Sequence, residues 1–187
     1  RRPAWSDQTV WGSTDGGETW SAVFHGAPQE VLRQVALGPG SPPRLVVWSN
    51  RGLLQSEDLG GSWDALSPGP VEAFAVAPDA GDPAVYRSIA GQVSETLDGG
   101  ASWAPVGDPV PAVRVLAAAR GGALFAGTEA GLFHRAPGGV LSPAGFAGER
   151  IDLLAASPAY PTDATVYVAT QTTALHRSVD GGAQARR

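Results

Sequence analysis

A short motif recurs along this chain at nearly constant intervals, and it constrains the fold more than any other feature. It has Ser or Thr, then Asp two residues later, Gly two further on and Trp after three more; we call it the box. Complete copies occupy residues 13–20, 56–63 and 96–103, and the copy at 178–182 has Ala185 where the Trp would stand. A worn copy at 132–139 aligns without gaps with 175–182, but has Arg135 for the Ser and Pro137 for the Asp. Because the copies are about forty residues apart, the sequence indicates a repeat fold.

Each step between boxes holds four strand-like runs separated by turn residues. The first, inner runs are 31–37, 71–77, 113–119 and 151–156; the second are 45–48, 85–86, 124–125 and 165–168; the third are 52–54, 92–93, 131–133 and 174–176; the fourth follows each box, as in 20–24. Four strands per step of about 40 residues is the blade of a propeller. We therefore predict an all-β chain: a β-propeller of four-stranded antiparallel blades, with about four to five blades present. Residues 1–187 are predicted to be one domain and, since both ends carry a third strand and a box, part of a larger propeller.

The box residues are predicted to be structural, between the third and fourth strands of each blade. The Asp carboxylates are expected to accept hydrogen bonds from turn amides two residues on, and the hydroxyls to close the same turn from the other side. The Gly two residues after each Asp is expected to have positive φ, and the Trp to cover the turn and seal a neighbouring blade. These residues are Ser13, Asp15, Gly17, Trp20, Ser56, Asp58, Gly60, Trp63, Thr96, Asp98, Gly100, Trp103, Ser178, Asp180 and Gly182. One carboxylate per blade cannot converge on one substrate, so an acid or metal role is not predicted.

With these residues in place, the chain resembles the Asp-box, or bacterial neuraminidase repeat, propellers over essentially its whole length. The same box occurs in sialidases, xyloglucan-active glycoside hydrolases, sortilin-type receptors and photosystem II assembly factors. The resemblance therefore implies an architecture and leaves the activity open.

Composition excludes several classes of function. A net charge of −5 argues against nucleic acid or an anionic membrane as the main partner. There is no Cys, and no stretch approaches the roughly 18 apolar residues of a membrane helix. His25, His134 and His176 lack metal-ligand spacing, so we predict no metal and no cofactor.

No catalytic residue is predicted. Sialidases of the resembled family use an Arg cluster, a Tyr and Glu nucleophile pair and an acid Asp, whereas the Arg residues here are scattered. Tyr86 and Tyr167 occupy second-strand positions and are predicted to be core residues. A xyloglucan hydrolase would need two facing carboxylates, and no spacing selects a pair among the loop candidates Glu30, Asp108, Glu129 and Glu149.

Two groups of residues are the candidate binding sites. Aligning the inner runs places Arg33, Glu72, Arg114 and Asp152 at one position near the start of the first strand. They would ring the mouth of a central channel, either as a polar ligand site or as ion pairs between blades. The second group lies on loops joining second to third and fourth to first strands: Asn50, Arg51, Glu129, Glu149 and Arg150, with Phe146 as an aromatic neighbour.

The sequence thus predicts a non-catalytic propeller scaffold that binds protein or glycan through one loop face. The alternative is a fragment of a secreted glycoside hydrolase, sialidase-like or xyloglucanase-like. The expected location is extracellular or periplasmic.

Overall fold

A computed structural model describes residues 8–79, 81–172 and 175–182, and the regular structure in these ranges is almost entirely β-strand. The chain divides into two compact units, one ending at Val71 and the other beginning at Glu72. The prediction of a single domain over 1–187 stays a prediction.

The first unit contains two antiparallel sheets. Sheet A consists of β1 (Thr9–Gly12) and β2 (Ser21–His25). Sheet B is a four-stranded meander of β3 (Leu32–Leu37), β4 (Leu45–Ser49), β5 (Gly52–Ser56) and β6 (Asp64–Pro68). Each strand of sheet B pairs with the next one along the chain, as predicted for a propeller blade.

The second unit contains three antiparallel sheets with the same order of strands. Sheet C consists of β7 (Ala73–Val76), β8 (Val85–Ile89), β9 (Gln92–Thr96) and β10 (Ala104–Pro105). Sheet D consists of β11 (Val113–Ala119), β12 (Ala123–Thr128), β13 (Gly131–Arg135) and β14 (Ser142–Gly145), with a 3₁₀ turn at Arg120–Gly122. Sheet E consists of β15 (Ile151–Ala156), β16 (Val166–Thr170) and β17 (Leu175–Ser178). The predicted all-β class with four-stranded antiparallel sheets is confirmed.

Two apolar cores join the sheets of the second unit face to face. Leu124 and Ala126 of β12 lie in a core with residues of sheet C. Phe125, between them in sequence, lies in the other core with Val166 and Val168 of sheet E. Successive side chains of a strand point to opposite faces, so β12 serves both cores.

The sequence-based assignment of two tyrosines to the core is right for one of them. Tyr86 is buried in the core between sheets C and D. Tyr167 is 41% exposed on β16, so its assignment was wrong. Its face of sheet E is not covered by another sheet within the described residues.

The box at 56–63 shows how the repeated residues hold the turn between β5 and β6. The Ser56 hydroxyl donates to Asp58 Oδ1 (2.8 Å) and accepts the Gly60 amide (2.8 Å). Asp58 accepts the Ser62 amide on Oδ1 (2.8 Å) and the Ser62 hydroxyl on Oδ2 (2.7 Å). The carboxylate therefore binds the amide four residues on, whereas the sequence analysis expected the amide two residues on.

The same network recurs in the other complete boxes. Asp15 accepts the amide and hydroxyl of Thr19, and Asp98 those of Ser102. In the box at 178–182, Ser178 donates to Asp180 and accepts the Gly182 amide. The hydroxyl residue just before each Trp is thus a functional part of the box that the sequence analysis missed.

The Gly at the fifth position of the box at 56–63 allows that turn to approach sheet A closely. Gly60 has φ of +95°, and a Cβ there would lie 2.6 Å from the Val23 carbonyl oxygen. Trp63 donates its indole N–H to the same oxygen (3.0 Å) and contacts the Phe24 ring edge-on, with ring centroids 4.9 Å apart. Both contacts fix the box of sheet B against the preceding sheet.

The other two Trp residues make contacts within their own repeats. Trp20 is 61% exposed and donates to the Gly17 carbonyl oxygen of its own box (3.0 Å). Trp103 lies under the Arg87 guanidinium, 3.9 Å from the ring centroid, within sheet C. The predicted seal against a neighbouring sheet is therefore observed at Trp63, whereas these contacts of Trp20 and Trp103 are local.

An ion pair occupies the place of the missing hydroxyl in the worn box. Arg135 donates from Nη1 to Glu95 Oε2 of sheet C (2.9 Å), and its guanidinium lies over the Tyr86 ring. Its Nε also donates to the Gly139 carbonyl oxygen (3.1 Å). Arg135 therefore connects sheet D to sheet C where the box network is absent.

Hydrogen bonding to the box carboxylates generates a prediction about acid stability. The amide and hydroxyl of Ser62 hold the pKa of Asp58 at about 2, and the hydroxyl and amide of Ser102 hold that of Asp98 at about 2. A carboxyl whose folded pKa is depressed stabilises the fold above its ordinary pKa of 3.8, and that contribution is lost as pH falls toward 2. We expect Asp58→Asn to lower the Tm at pH 7 and to reduce the loss of Tm between pH 4 and pH 2. Thermal melts followed by circular dichroism measure both, with Glu57→Gln in the same box as the matched control. Equal acid sensitivity in the wild type and Asp58→Asn would contradict this role.

A second prediction concerns the half-buried imidazole of His134. Its ring stacks on Phe125 with centroids 4.7 Å apart, and burial lowers the pKa of His134 below its ordinary value of 6.5. The neutral ring is the stable form in the fold, so stability falls as pH drops below 6.5. We expect His134→Leu to remove part of the decrease in Tm between pH 7.5 and pH 5, and the exposed His25 provides the control variant His25→Gln. A His134→Leu variant with the wild-type pH profile would rule out this role.

Candidate functional site

Four of the nine predicted binding residues form one charged cluster at an end of sheets D and E. Arg114 donates from Nη1 to Glu129 Oε1 (2.7 Å) and from Nε to Asp152 Oδ1 (3.0 Å). Arg150 donates from Nε to the same Asp152 oxygen (2.9 Å). We call Arg114, Glu129, Arg150 and Asp152 the Arg114 cluster.

Two β-bulges place Arg114 and Asp152 in this cluster. Val113 pairs with Thr128 and Val115 with Gly127, so Arg114 between them has no partner across the ladder. The same irregularity lies between Ile151 and Leu153, on either side of Asp152. A bulge re-aims the side chain of the extra residue, and here it puts charge at the start of each first strand.

Sheet B carries a similar bulge, and in sheet C the equivalent residue directly precedes β7. Arg33 is the extra residue between Leu32 and Gln34, and its guanidinium lies 5.5 Å from the Trp48 ring centroid. In sheet C, Ala73 pairs with Ser88 as Val115 pairs with Gly127, and the Glu72 amide before it donates to the Ser88 carbonyl oxygen (2.9 Å).

Glu72 therefore keeps the aligned position of Arg33, Arg114 and Asp152, because each directly precedes the residue that pairs at this point of the second strand. It precedes β7, where its carboxylate accepts the Ser88 hydroxyl (2.8 Å) and the Gly91 amide (3.1 Å). Its described contacts thus hold the turn of its own sheet.

The Arg114 cluster is half-exposed, and its hydrogen bonds favour the charged forms of Asp152 and Arg114. Its side chains are between 31% and 44% exposed. Hydrogen bonds from Arg150 and then Arg114 lower the pKa of Asp152, and the Glu129 carboxylate raises that of Arg114. A general acid in a glycoside hydrolase needs a raised carboxyl pKa, so Asp152 has the opposite character.

The neighbouring loop residues complete this end of sheets D and E. The turn after β14 is held to the turn between β12 and β13 by the Gly148 amide, which donates to the Ala130 carbonyl oxygen (2.9 Å). Glu149 is exposed in that turn, and its amide donates to the carbonyl oxygen of Phe146 (2.9 Å). Phe146 contacts the His176 ring edge-on, with centroids 5.0 Å apart. Glu149 and Phe146 thus lie in the loop that leads directly into Arg150.

The predicted loop residues of the first unit make contacts within that unit. Asn50 Oδ1 accepts the Val31 amide (2.8 Å), and Arg51 Nη2 donates to the Pro28 carbonyl oxygen (2.8 Å). Glu30 is buried, where it accepts the Ser49 hydroxyl on one carboxylate oxygen and the Ala27 amide on the other. These contacts stabilise the loop before β3, and a binding role for Asn50 and Arg51 stays a prediction.

Among residues 8–79, 81–172 and 175–182, no group of three or more His, Cys, Asp or Glu side chains could hold a metal ion. In that part of the chain no helix combines the length and apolar character needed to cross a bilayer.

Comparison with known proteins identifies the fold. No protein-family model matches the chain, and a search of curated proteins finds no match. Among solved structures, it is similar to YCF48 bound to D1 peptide, with a TM-score of 0.63 and 21% identity over 94% of this chain and 59% of that chain. It is also similar to YCF48 from Cyanidioschyzon merolae, with a TM-score of 0.68 and 18% identity over 97% of this chain and 66% of that chain. The GH74 xyloglucanase from Xanthomonas campestris gives a TM-score of 0.71 and 22% identity over 95% of this chain and 27% of that chain.

These similarities assign the chain to the β-propeller fold, because both kinds of neighbour are propellers. The chain spans 59% of the first neighbour's length and 27% of the xyloglucanase's. At such low identities the likeness concerns the fold alone.

Proposed function

We propose that this chain is a non-catalytic propeller scaffold that binds a polypeptide through the loop end of its sheets, with the Arg114 cluster at the centre of the contact. The observation that carries the proposal is the cluster itself: charged side chains aimed outward by bulges, joined to one another and accessible to a partner. An extracellular or periplasmic location is part of the same proposal.

The chemistry of the cluster supports a polypeptide ligand. Two guanidinium groups share one Asp152 oxygen, which holds them close together at the surface. Guanidinium and carboxylate groups in a fixed arrangement recognise charged and hydrogen-bonding groups of a partner directionally. Such arrangements determine which partner binds more than how tightly it binds. The D1 peptide bound to a YCF48 neighbour adds support for a protein ligand over a glycan.

The alternative is a fragment of a glycoside hydrolase, and the TM-score of 0.71 with the GH74 xyloglucanase favours it. That reaction needs one carboxyl with a raised pKa and a second carboxylate across the substrate. Glu129 and Asp152 instead both accept hydrogen bonds from Arg114, and the pKa of Asp152 is lowered. The cluster therefore suits recognition better than proton transfer.

A selection from a phage-displayed library of random dodecapeptides tests the binding proposal. We expect the enriched peptides to bind the wild-type chain and to lose at least about tenfold in affinity with Arg114→Gln, or about 1.4 kcal/mol. Arg120→Gln is the matched control, because Arg120 is an exposed Arg in the same sheet, in the turn between β11 and β12. Isothermal titration calorimetry measures the affinities, and thermal melts establish that both variants are folded. Enriched peptides that bind Arg114→Gln as tightly as the wild type, or no enrichment, would overturn the proposal.

An assay for cleavage of xyloglucan separates the alternative. The scaffold proposal expects no release of reducing sugar by the wild-type chain or by Glu129→Gln. Release by the wild type that is lost in Glu129→Gln, with Glu149→Gln as the control, would establish the hydrolase instead.

A further inference from the structure

The outer face of sheet E is an apolar surface in direct contact with solvent. Leu153 is 67% exposed, Tyr167 41% and Leu175 69%, one on each of its three strands. The residues adjoin one another on this face, because Leu153 and Leu175 both pair with Ala169 of β16. Contiguous exposed apolar surface of this kind marks an interaction site.

The strand registers identify the same positions in sheet D, where they are buried. Leu132 pairs with Gly127 as Leu175 pairs with Ala169, and Phe125 pairs with His134 as Tyr167 pairs with Arg177. Phe125 is 0% exposed and Leu132 1%, because sheet E covers them. Leu153 likewise corresponds to Val115, which packs against the same core.

We propose that the outer face of sheet E is the docking surface for one further propeller blade, which covers Leu153, Tyr167 and Leu175 as sheet E covers the corresponding residues of sheet D. The proposal stands on this repeated interface and is independent of the ligand proposed above. An exposed terminal face of a repeat array is normally polar, and this one is apolar.

The two existing interfaces specify the chemistry of the incoming blade. Sheet D brings Leu116, Leu124 and Ala126 into the core with sheet C. Sheet E brings Leu154, Val166 and Val168 into the core with sheet D. The occupant therefore carries Leu, Val or Ala at alternate positions of its first two strands.

The box glycine adds a geometric requirement. A Cβ at Gly182 would lie 3.0 Å from Leu132 Cδ2, so the box of sheet E rests against sheet D. The incoming blade is expected to place its own box glycine against Leu175, the counterpart of Leu132.

A tandem duplication tests the proposal directly. Gly139 and Gly182 occupy the same box position, so a second copy of residues 140–182 inserted after Gly182 continues the repeat in phase. The chain has no Cys, and Leu175→Cys in the original copy alone therefore provides a single thiol on the face. The rate of its reaction with a maleimide measures how accessible that position is.

We expect the added blade to slow this reaction at least tenfold and to raise the Tm by at least about 5 °C. The matched control carries Asp in place of the residues copied from Val166 and Val168, which would face sheet E, and it should react as fast as the Leu175→Cys chain without duplication. Equal rates in the duplication and its control would overturn the proposal. So would a rate in the unduplicated chain that falls as its concentration rises, because a second copy would then cover the face.

Discussion

Sheet-on-sheet packing through both faces is the constraint on which the second unit depends. In sheet D the central strand β12 sends Leu124 and Ala126 into one core and Phe125 into the other, and all three are fully buried. A strand that serves two cores cannot alternate apolar and polar residues, so its sequence is a continuous apolar run. Neighbouring sheets can then pack only as closely as the turns between their strands allow.

The boxes determine how closely a turn can approach the neighbouring sheet. Hydroxyl and carboxylate hydrogen bonds fix the turns, and the Gly two residues after the Asp lets two of them rest on the preceding sheet, Gly60 on Val23 and Gly182 on Leu132. The box carboxylates already accept hydrogen bonds within their own turns. This explains why an acidic residue recurs once per repeat without forming a catalytic or metal-binding site. Where the box is worn, the Arg135–Glu95 ion pair connects sheets D and C instead.

The sequence was sufficient for the fold because a repeat reports the same structure several times. The site was less predictable, because a bulge adds one residue to a strand without a signal in composition. The even spacing of the repeats aligned Glu72 with Arg114, but it gave no signal that the Glu72 carboxylate binds Ser88 and Gly91 of its own sheet. The exposure of Tyr167 was also not predictable from its own strand, because a neighbouring sheet determines whether that side chain is buried. The pairing of Arg114 with Glu129 depends on the β12–β13 turn, whose geometry is seen only in three dimensions.

The two ends of sheet D differ in role: one end carries the charged cluster, and the other carries the turn of the box. Strand β13 runs from the turn that contains Glu129 to Arg135, which stands at the Ser position of the worn box, so the charged cluster and the turn of that box lie at opposite ends of sheet D. Substitutions in the box act on the contact with the preceding sheet, whereas substitutions at a bulge act on a residue outside the ladder. A bulge position can therefore change from Arg114 in one sheet to Asp152 in the next without altering the strand pairs around it. This freedom makes the bulges the place where a propeller of this kind can acquire a specific partner while its cores stay the same.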